Sequence, residues 1–260
     1  MKLYPEPTDL LSPYLIEKYD READKFWELF YKRNGTNFFK DRHYLEREFP
    51  QLVEQQNCSV LEVGCGVGNA VYPLAEVNPS STIYAVDFAP RAVELVKQHE
   101  QFDPSRIHAH VADITKDDLK TFVPPSSVDF CTMVFVLSAI DPNSMEKAIS
   151  NIASVLKPGV GKVLFRDYAM GDLAEERLRK EGRRKKLGEN FYVRGDGTRC
   201  YYFSEDFLQD LFKRAGFQCE DLVVHEREIE NRGYRLSSAG LKSRYLAAWT
   251  GFTGRTGPDR

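Results

Sequence analysis

The stretch Val60-Leu-Glu-Val-Gly-Cys-Gly-Val-Gly-Asn69, followed 23 residues after its first glycine by Asp87, constrains this chain more than any other. Val60 to Val63 read as a buried strand, Gly64, Gly66 and Gly68 as a tight turn, and the residues beyond as the start of a helix. Asp87 closes a second apolar run, Ile83-Tyr-Ala-Val-Asp87. A strand, a glycine turn and an acid at the tip of the next strand form the crevice in which nucleoside ligands lie in doubly wound folds. Strand candidates at 59–63, 82–87, 106–111, 127–135 and 161–168 alternate with helix candidates at 69–77, 89–98 and 144–156. That alternation predicts an α/β fold, a parallel sheet covered on both faces. Ser204 caps a further helix that runs to Ala215, and late strands near 217–228 and 243–250 would complete a seven-stranded, Rossmann-like sheet.

The spacing bears on which nucleoside would bind. A dinucleotide fold needs G-x-G-x-x-G, with pyrophosphate pressed on a helix N-terminus. Here the spacing is G-x-G-x-G, and Glu62 stands two residues before the first glycine. A carboxylate there suits a cationic ligand rather than a pyrophosphate, and S-adenosylmethionine carries a sulfonium and an ammonium. The pattern looks like the first two motifs of class I S-adenosylmethionine-dependent methyltransferases. Dinucleotide binding, and a turn that binds nothing, are the alternatives. Ligands in open parallel sheets lie beyond the carboxyl ends of the strands. The expected cleft therefore takes Gly64 to Gly68, Asp87, Asp113 with Ile114, Val134 to Ser138, and Arg166-Asp167-Tyr168. Asp87 would accept the ribose hydroxyls. Asp113 would accept the adenine amino group with Ile114 on the ring, or serve only as a turn residue.

At 260 residues the chain is one domain with elaborations. A net charge of −3 argues against nucleic-acid binding by bulk charge and leaves room for a local basic patch. The five cysteines show no C-x-x-C pair and no metal spacing, so no metal is expected and a reducing compartment is, cytoplasm or nucleus. No apolar run is long enough to span a membrane, and the first fifteen residues do not read as a secretory leader. Residues 13–33 carry apolar positions at helical steps and read as one helix. We divide the chain into an N-terminal helical extension, 1–52, and a main domain, 53–260, with an insertion at about 169–203.

That insertion is the charged part. Residues 177–186 hold seven cations and one acid, and the aromatic-rich segment Phe191 to Phe203 follows, turning at Gly195-Asp196-Gly197. Cations for phosphates beside aromatics for unpaired bases suit single-stranded RNA. The candidates are Arg183, Arg184, Lys185, Lys186, Phe191, Tyr192, Arg194 and Arg199, with Lys40 and Arg42 from a second basic segment. A solvated charged loop before a β-hairpin is the alternative.

Longer segments narrow the reading. Phe26-Trp-Glu-Leu-Phe-Tyr-Lys-Arg-Asn34, Asn37-Phe-Phe-Lys-Asp-Arg-His43, Asp87-Phe-Ala-Pro-Arg-Ala92, Phe135-Val-Leu-Ser-Ala139, Leu164-Phe-Arg-Asp-Tyr168 and Leu187 to Arg199 resemble the tRNA N3-methylcytidine methyltransferases, from about residue 25 to about 217. The resemblance implies S-adenosylmethionine as cofactor and a cytidine of the tRNA anticodon loop as substrate. It also implies a cofactor pocket lined by Trp27, Tyr31, Gly64, Asp87, Asp113, Ile114 and Val134, with Trp27 and Tyr31 on a lid. Some members work with a helper such as an aminoacyl-tRNA synthetase; a monomer is expected here. Residues 236–260 fall outside the pattern. Cytidine N3 carries a free lone pair, so alignment rather than proton removal is the main task. Asp167 is our candidate to stabilise the cationic product, with Arg166 and Tyr168 fixing the base; a structural Arg166–Asp167 ion pair is the alternative. A small-molecule or protein methyltransferase, or a cofactor-binding subunit without turnover, stand as competing functions.

Overall fold

The computed structural model describes residues 9–36, 38–181, 184–228 and 242–252. Four short helices come first: α1 (Pro13–Arg21), α2 (Ala23–Asn34), α3 (Leu45–Glu48) and α4 (Gln51–Glu54). Strands and helices then alternate: β1 (Ser59–Val63), α5 (Val71–Val77), β2 (Thr82–Asp87), α6 (Pro90–Lys97), β3 (Ile107–Val111), β4 (Phe130–Val134), α7 (Pro142–Ala153) and β5 (Lys162–Tyr168). The insertion follows as α8 (Leu173–Glu181), β6 (Lys186–Gly188), β7 (Phe191–Val193) and β8 (Arg199–Tyr201). The chain returns through α9 (Glu205–Arg214), β9 (Phe217–Glu228) and β10 (Lys242–Phe252).

The main sheet orders its strands β3-β2-β1-β4-β5-β10-β9. The first five are parallel, and β10 runs antiparallel to both β5 and β9. β1 is where the order reverses, so the crevice opens above the carboxyl ends of β1 and β4. The central strands are apolar on both faces because helices cover both: β4 is buried at every position. One apolar cluster joins Leu61, Val63 and Met133 to α7 and α9, and a second joins Val60, Ile83 and Leu164 to α5 and α6. Among the described residues no helix is long and apolar enough to cross a membrane.

The expected single helix over 13–33 is two helices. Glu22 breaks it at φ −105°, ψ 18°. No glycine or proline marks the break; the two halves are held by different neighbours. On α2, Glu28 Oε2 accepts the Arg91 backbone N–H at 3.1 Å. It supplies an acid at the start of α6, where Ala89 offers no side-chain cap. α1 instead lies against the insertion. β6, β7 and β8 form a small antiparallel sheet, with β7 and β8 joined as a hairpin.

Candidate active site

β1 is followed by Gly64, whose φ of +60° few residues but glycine adopt. A Cβ there would fall 2.4 Å from Val136 Cγ2, so the turn is open only because Gly64 has no side chain. Asp87, at the tip of β2, folds back over the turn: its Oδ2 accepts the Gly66 N–H and its Oδ1 the Ala89 N–H, both at 2.9 Å. Burial pushes this carboxyl up to about 6, against the pull of those two N–H groups. Each oxygen keeps acceptor capacity after one bond.

A cavity of about 500 Å³ opens over this turn, within the range of small-molecule pockets. Gly64, Asp87, Asp113 and Ile114 line it from the sheet, and Trp27 and Tyr31 from α2. The Trp27 and Tyr31 rings lie 6.0 Å apart, one turn apart on one helix face. Asp113 doubles as a turn residue, its Oδ1 accepting from the Thr115 N–H and hydroxyl. Burial works against its charge, but the Thr115 donors and Lys116 outweigh burial and hold the carboxyl below its usual range. The set fits S-adenosylmethionine: acceptors for ribose hydroxyls, aromatic faces, and a glycine cradle that a Cβ would fill. Glycine-turn spacing and strand-tip acids had marked most of this set.

The methyltransferase domain family matches residues 19–222. Human tRNA N(3)-cytidine methyltransferase METTL6 is 47% identical over 91% of this chain and 84% of its own length. The Schizosaccharomyces pombe tRNA N(3)-methylcytidine methyltransferase trm141 is 44% identical over 87% of this chain and 92% of its own. The chain belongs to the tRNA N(3)-cytidine methyltransferase family. It is an S-adenosylmethionine-dependent enzyme with the class I methyltransferase fold. The same fold is seen in Burkholderia thailandensis 1,6-didemethyltoxoflavin-N1-methyltransferase, solved with S-adenosylhomocysteine: TM-score 0.59 at 16% identity, over 96% of this chain and 94% of that one.

In this methyltransferase several expected residues sit elsewhere. Val134 lies outside the cavity lining; it is 1% exposed, and Phe135 and Val136, the next two residues, face the cavity instead. A strand's alternating sides and the turn after it account for the shift. Gly66 and Gly68 shape the turn without lining the cavity. Glu62 is buried behind it and accepts the Thr132 hydroxyl hydrogen. Burial pushes Glu62 up to about 7, with Arg42 and Thr132 opposing.

Arg42 is therefore spent inside. It donates to the Val134 carbonyl at 3.0 Å and lies 5.7 Å from the Phe135 ring centre. Arg166 pairs with Glu48 on α3 and lies over the Tyr44 ring at 4.3 Å, not against Asp167. Asp167 is wholly buried; its Oδ2 accepts the Ser138 N–H and its Oδ1 the Tyr168 N–H, each at 2.9 Å. It fixes the loops after β4 and β5 and does not face the cavity, so a direct role in stabilising product charge does not fit. Phe135, at the tip of β4, holds φ +58°, a strained conformation for a bulky residue, with the Tyr168 ring tilted against it, centres 4.7 Å apart.

The insertion also corrects the sequence reading. Phe191 and Tyr192 are 5% and 2% exposed, packed into the hairpin's core, so no base can stack on them. Arg194 lies over the Tyr168 ring at 5.2 Å. Lys186 pairs with Asp9, and Arg199 is buried against Asp20. Arg183 lies outside the described residues. Lys40 and Arg184 stay exposed and Lys185 half-buried. Sequence reasoning missed the acids of α1, such as Asp20 and Glu17, on the cavity wall; the helical pattern of 13–33 drew attention only to its apolar positions.

Proposed function

We propose that the enzyme transfers a methyl group from S-adenosylmethionine to N3 of an unpaired cytidine in the tRNA anticodon loop, acting as a monomer in the cytoplasm or nucleus. One observation carries this reading. Gly64, Asp87, Trp27 and Tyr31 meet on one cavity in a chain 47% identical to a tRNA N(3)-cytidine methyltransferase. Five free cysteines agree with a reducing compartment.

When bound, S-adenosylmethionine supplies an electrophilic methyl carbon on a sulfonium. In this reading Asp87, ionised, accepts the ribose hydroxyls, and Trp27 and Tyr31 close over the site. N3 brings its own lone pair, so no side chain must remove a proton first. The protein's work is then alignment, an effect of several kcal/mol when reacting atoms are held at near-attack distance. The tip of β4 supports the base: Phe135 offers a ring face, and Tyr168, Arg42 and Arg166 hold that ring in place. Asp167 acts one step back by fixing the Ser138 and Tyr168 backbone. N3 lies on the pairing edge, so the base must be splayed from its loop. Exposed Lys40, Arg179, Lys180 and Arg184 supply charge for the loop's phosphates.

The test is methyl transfer from labelled S-adenosylmethionine into tRNA lacking the modification, followed by nuclease fragmentation. Label confined to the anticodon-loop fragment supports the reading, and label elsewhere rejects it. A parallel reaction with an aminoacyl-tRNA synthetase tests for a helper: stimulation identifies one.

A further inference from the structure

Arg199 stood among the expected RNA contacts, yet its side chain is 7% exposed and on the wall of the cofactor cavity. It donates to Asp20 Oδ1 at 2.5 Å, and its guanidinium carbon lies 5.5 Å from the Phe191 ring centre. Its Nε is buried and has no hydrogen-bond partner among the described residues. Asp20 belongs to α1, the outer half of the lid.

Two more attachments flank this pair. Before α1, the Leu11 N–H donates to the Lys186 carbonyl at 2.8 Å, and Asp9 pairs with the Lys186 ammonium. After it, the hairpin tip meets α2: Gly197 holds φ +87°, and a Cβ there would fall 2.2 Å from Phe26 Cδ1. Between these points Leu15, Ile16 and Tyr19 pack on the apolar cluster that contains Leu187, Phe191 and Tyr201. The segment that carries the basic run thus holds the lid at its start, middle and end.

We infer that Arg199 is a positioning residue: through Asp20 it ties the lid over the cofactor cavity to the basic insertion, so that RNA and cofactor each bind more tightly when the other is present. The inference rests on tRNA being the substrate. The physical argument is ordering. RNA on the basic segment restrains β6 to β8, and through three attachments it restrains α1 and α2, whose residues wall the cavity. The cofactor then meets a lid with less freedom left to lose. Linkage makes the effect reciprocal.

The test uses S-adenosylhomocysteine as an unreactive probe and an unmodified tRNA transcript. Calorimetry gives the probe's affinity with and without tRNA, and filter binding gives the tRNA's affinity with and without the probe. The wild type should show a coupling factor of about 5 or more, equal in both directions. Asp20→Asn should bring the factor close to one, whatever it does to the probe's own affinity. Phe26→Ala, outside both the cavity wall and the basic run, should do the same. Arg199→Lys, which keeps the charge but loses the fork, should fall between. Melting curves screen the variants for folding. Hydrogen exchange on the wild type needs no variant: tRNA alone should slow the amides of α1. A wild-type factor of one, unaltered α1 exchange, or full coupling in folded Asp20→Asn and Phe26→Ala overturns the inference. Wild-type protein that makes 3-methylcytidine but shows a factor of one sinks the coupling alone. Protein that makes none sinks the functional reading.

Discussion

Gly64 and Asp87 both line the cavity, and the proposed cofactor site depends on one property of each. At Gly64 it is the absence of a Cβ. Gly64→Ala places a methyl 2.4 Å from Val136 Cγ2 at φ +60°. Left-handed strain costs about 1–2 kcal/mol and overpacking about 1–3 kcal/mol, so denaturant unfolding should show a loss of roughly 2–5 kcal/mol. At Asp87 the property is four lone-pair sites, two of them already used by Gly66 and Ala89. An amide has a single acceptor oxygen and cannot serve all of them. Asp87→Asn should weaken S-adenosylhomocysteine about 10- to 100-fold by calorimetry, the scale of a lost charged hydrogen bond or two. Phe135 is the third such residue. Its positive φ was invisible in the sequence because nothing in Phe135-Val-Leu-Ser announces a left-handed turn.

Elements show where sequence reasoning reached and where it stopped. Strand positions came through within a residue or two, except that β4 starts three residues later than expected, because buried parallel strands leave continuous apolar runs and helices between them leave amphipathic ones. The break at Glu22 left no mark, since tertiary contacts of α1 and α2 decide it. The insertion read as a charged break in the pattern. Its cations fall into two kinds that composition cannot separate: Lys186 and Arg199 pair with Asp9 and Asp20, while Arg179, Lys180 and Arg184 face solvent. Charge reversal of these last three should raise the KM for tRNA and flatten its salt dependence. Each lost phosphate contact removes about 0.7–0.9 from the log–log slope. An unchanged slope would show that α8 and its flank do not touch RNA. The Arg166–Glu48 pair, 12% exposed on both sides, binds α3 to β5. Arg166→Ala should cost about 3–5 kcal/mol by leaving Glu48 without its partner in a buried place.

For the whole molecule, three buried carboxyls set an opposition between folding and function. Burial pushes Glu62 up to about 7, and Asp87 and Asp167 up to about 6. Their values in the unfolded chain lie near 4. Between those limits the folded state holds protons that the unfolded state has released, so stability falls as pH rises. The cofactor-free protein should lose several degrees of melting temperature between pH 5 and pH 8, and Glu62→Gln should flatten the upper part of that slope. Cofactor affinity should move the other way, falling as pH drops through about 6 and Asp87 takes up its proton. Both trends can be read from one series of melts with and without S-adenosylhomocysteine. Parallel loss of stability and affinity toward acid would contradict this assignment of the carboxyls. The most direct measurement of the account is the nucleoside made when purified protein, S-adenosylmethionine and unmodified tRNA are combined and the tRNA is digested for mass spectrometry. The account predicts 3-methylcytidine, formed more slowly by Asp87→Asn at limiting S-adenosylmethionine; a methyl group on any other nucleoside, or none in the presence of a synthetase, would contradict it.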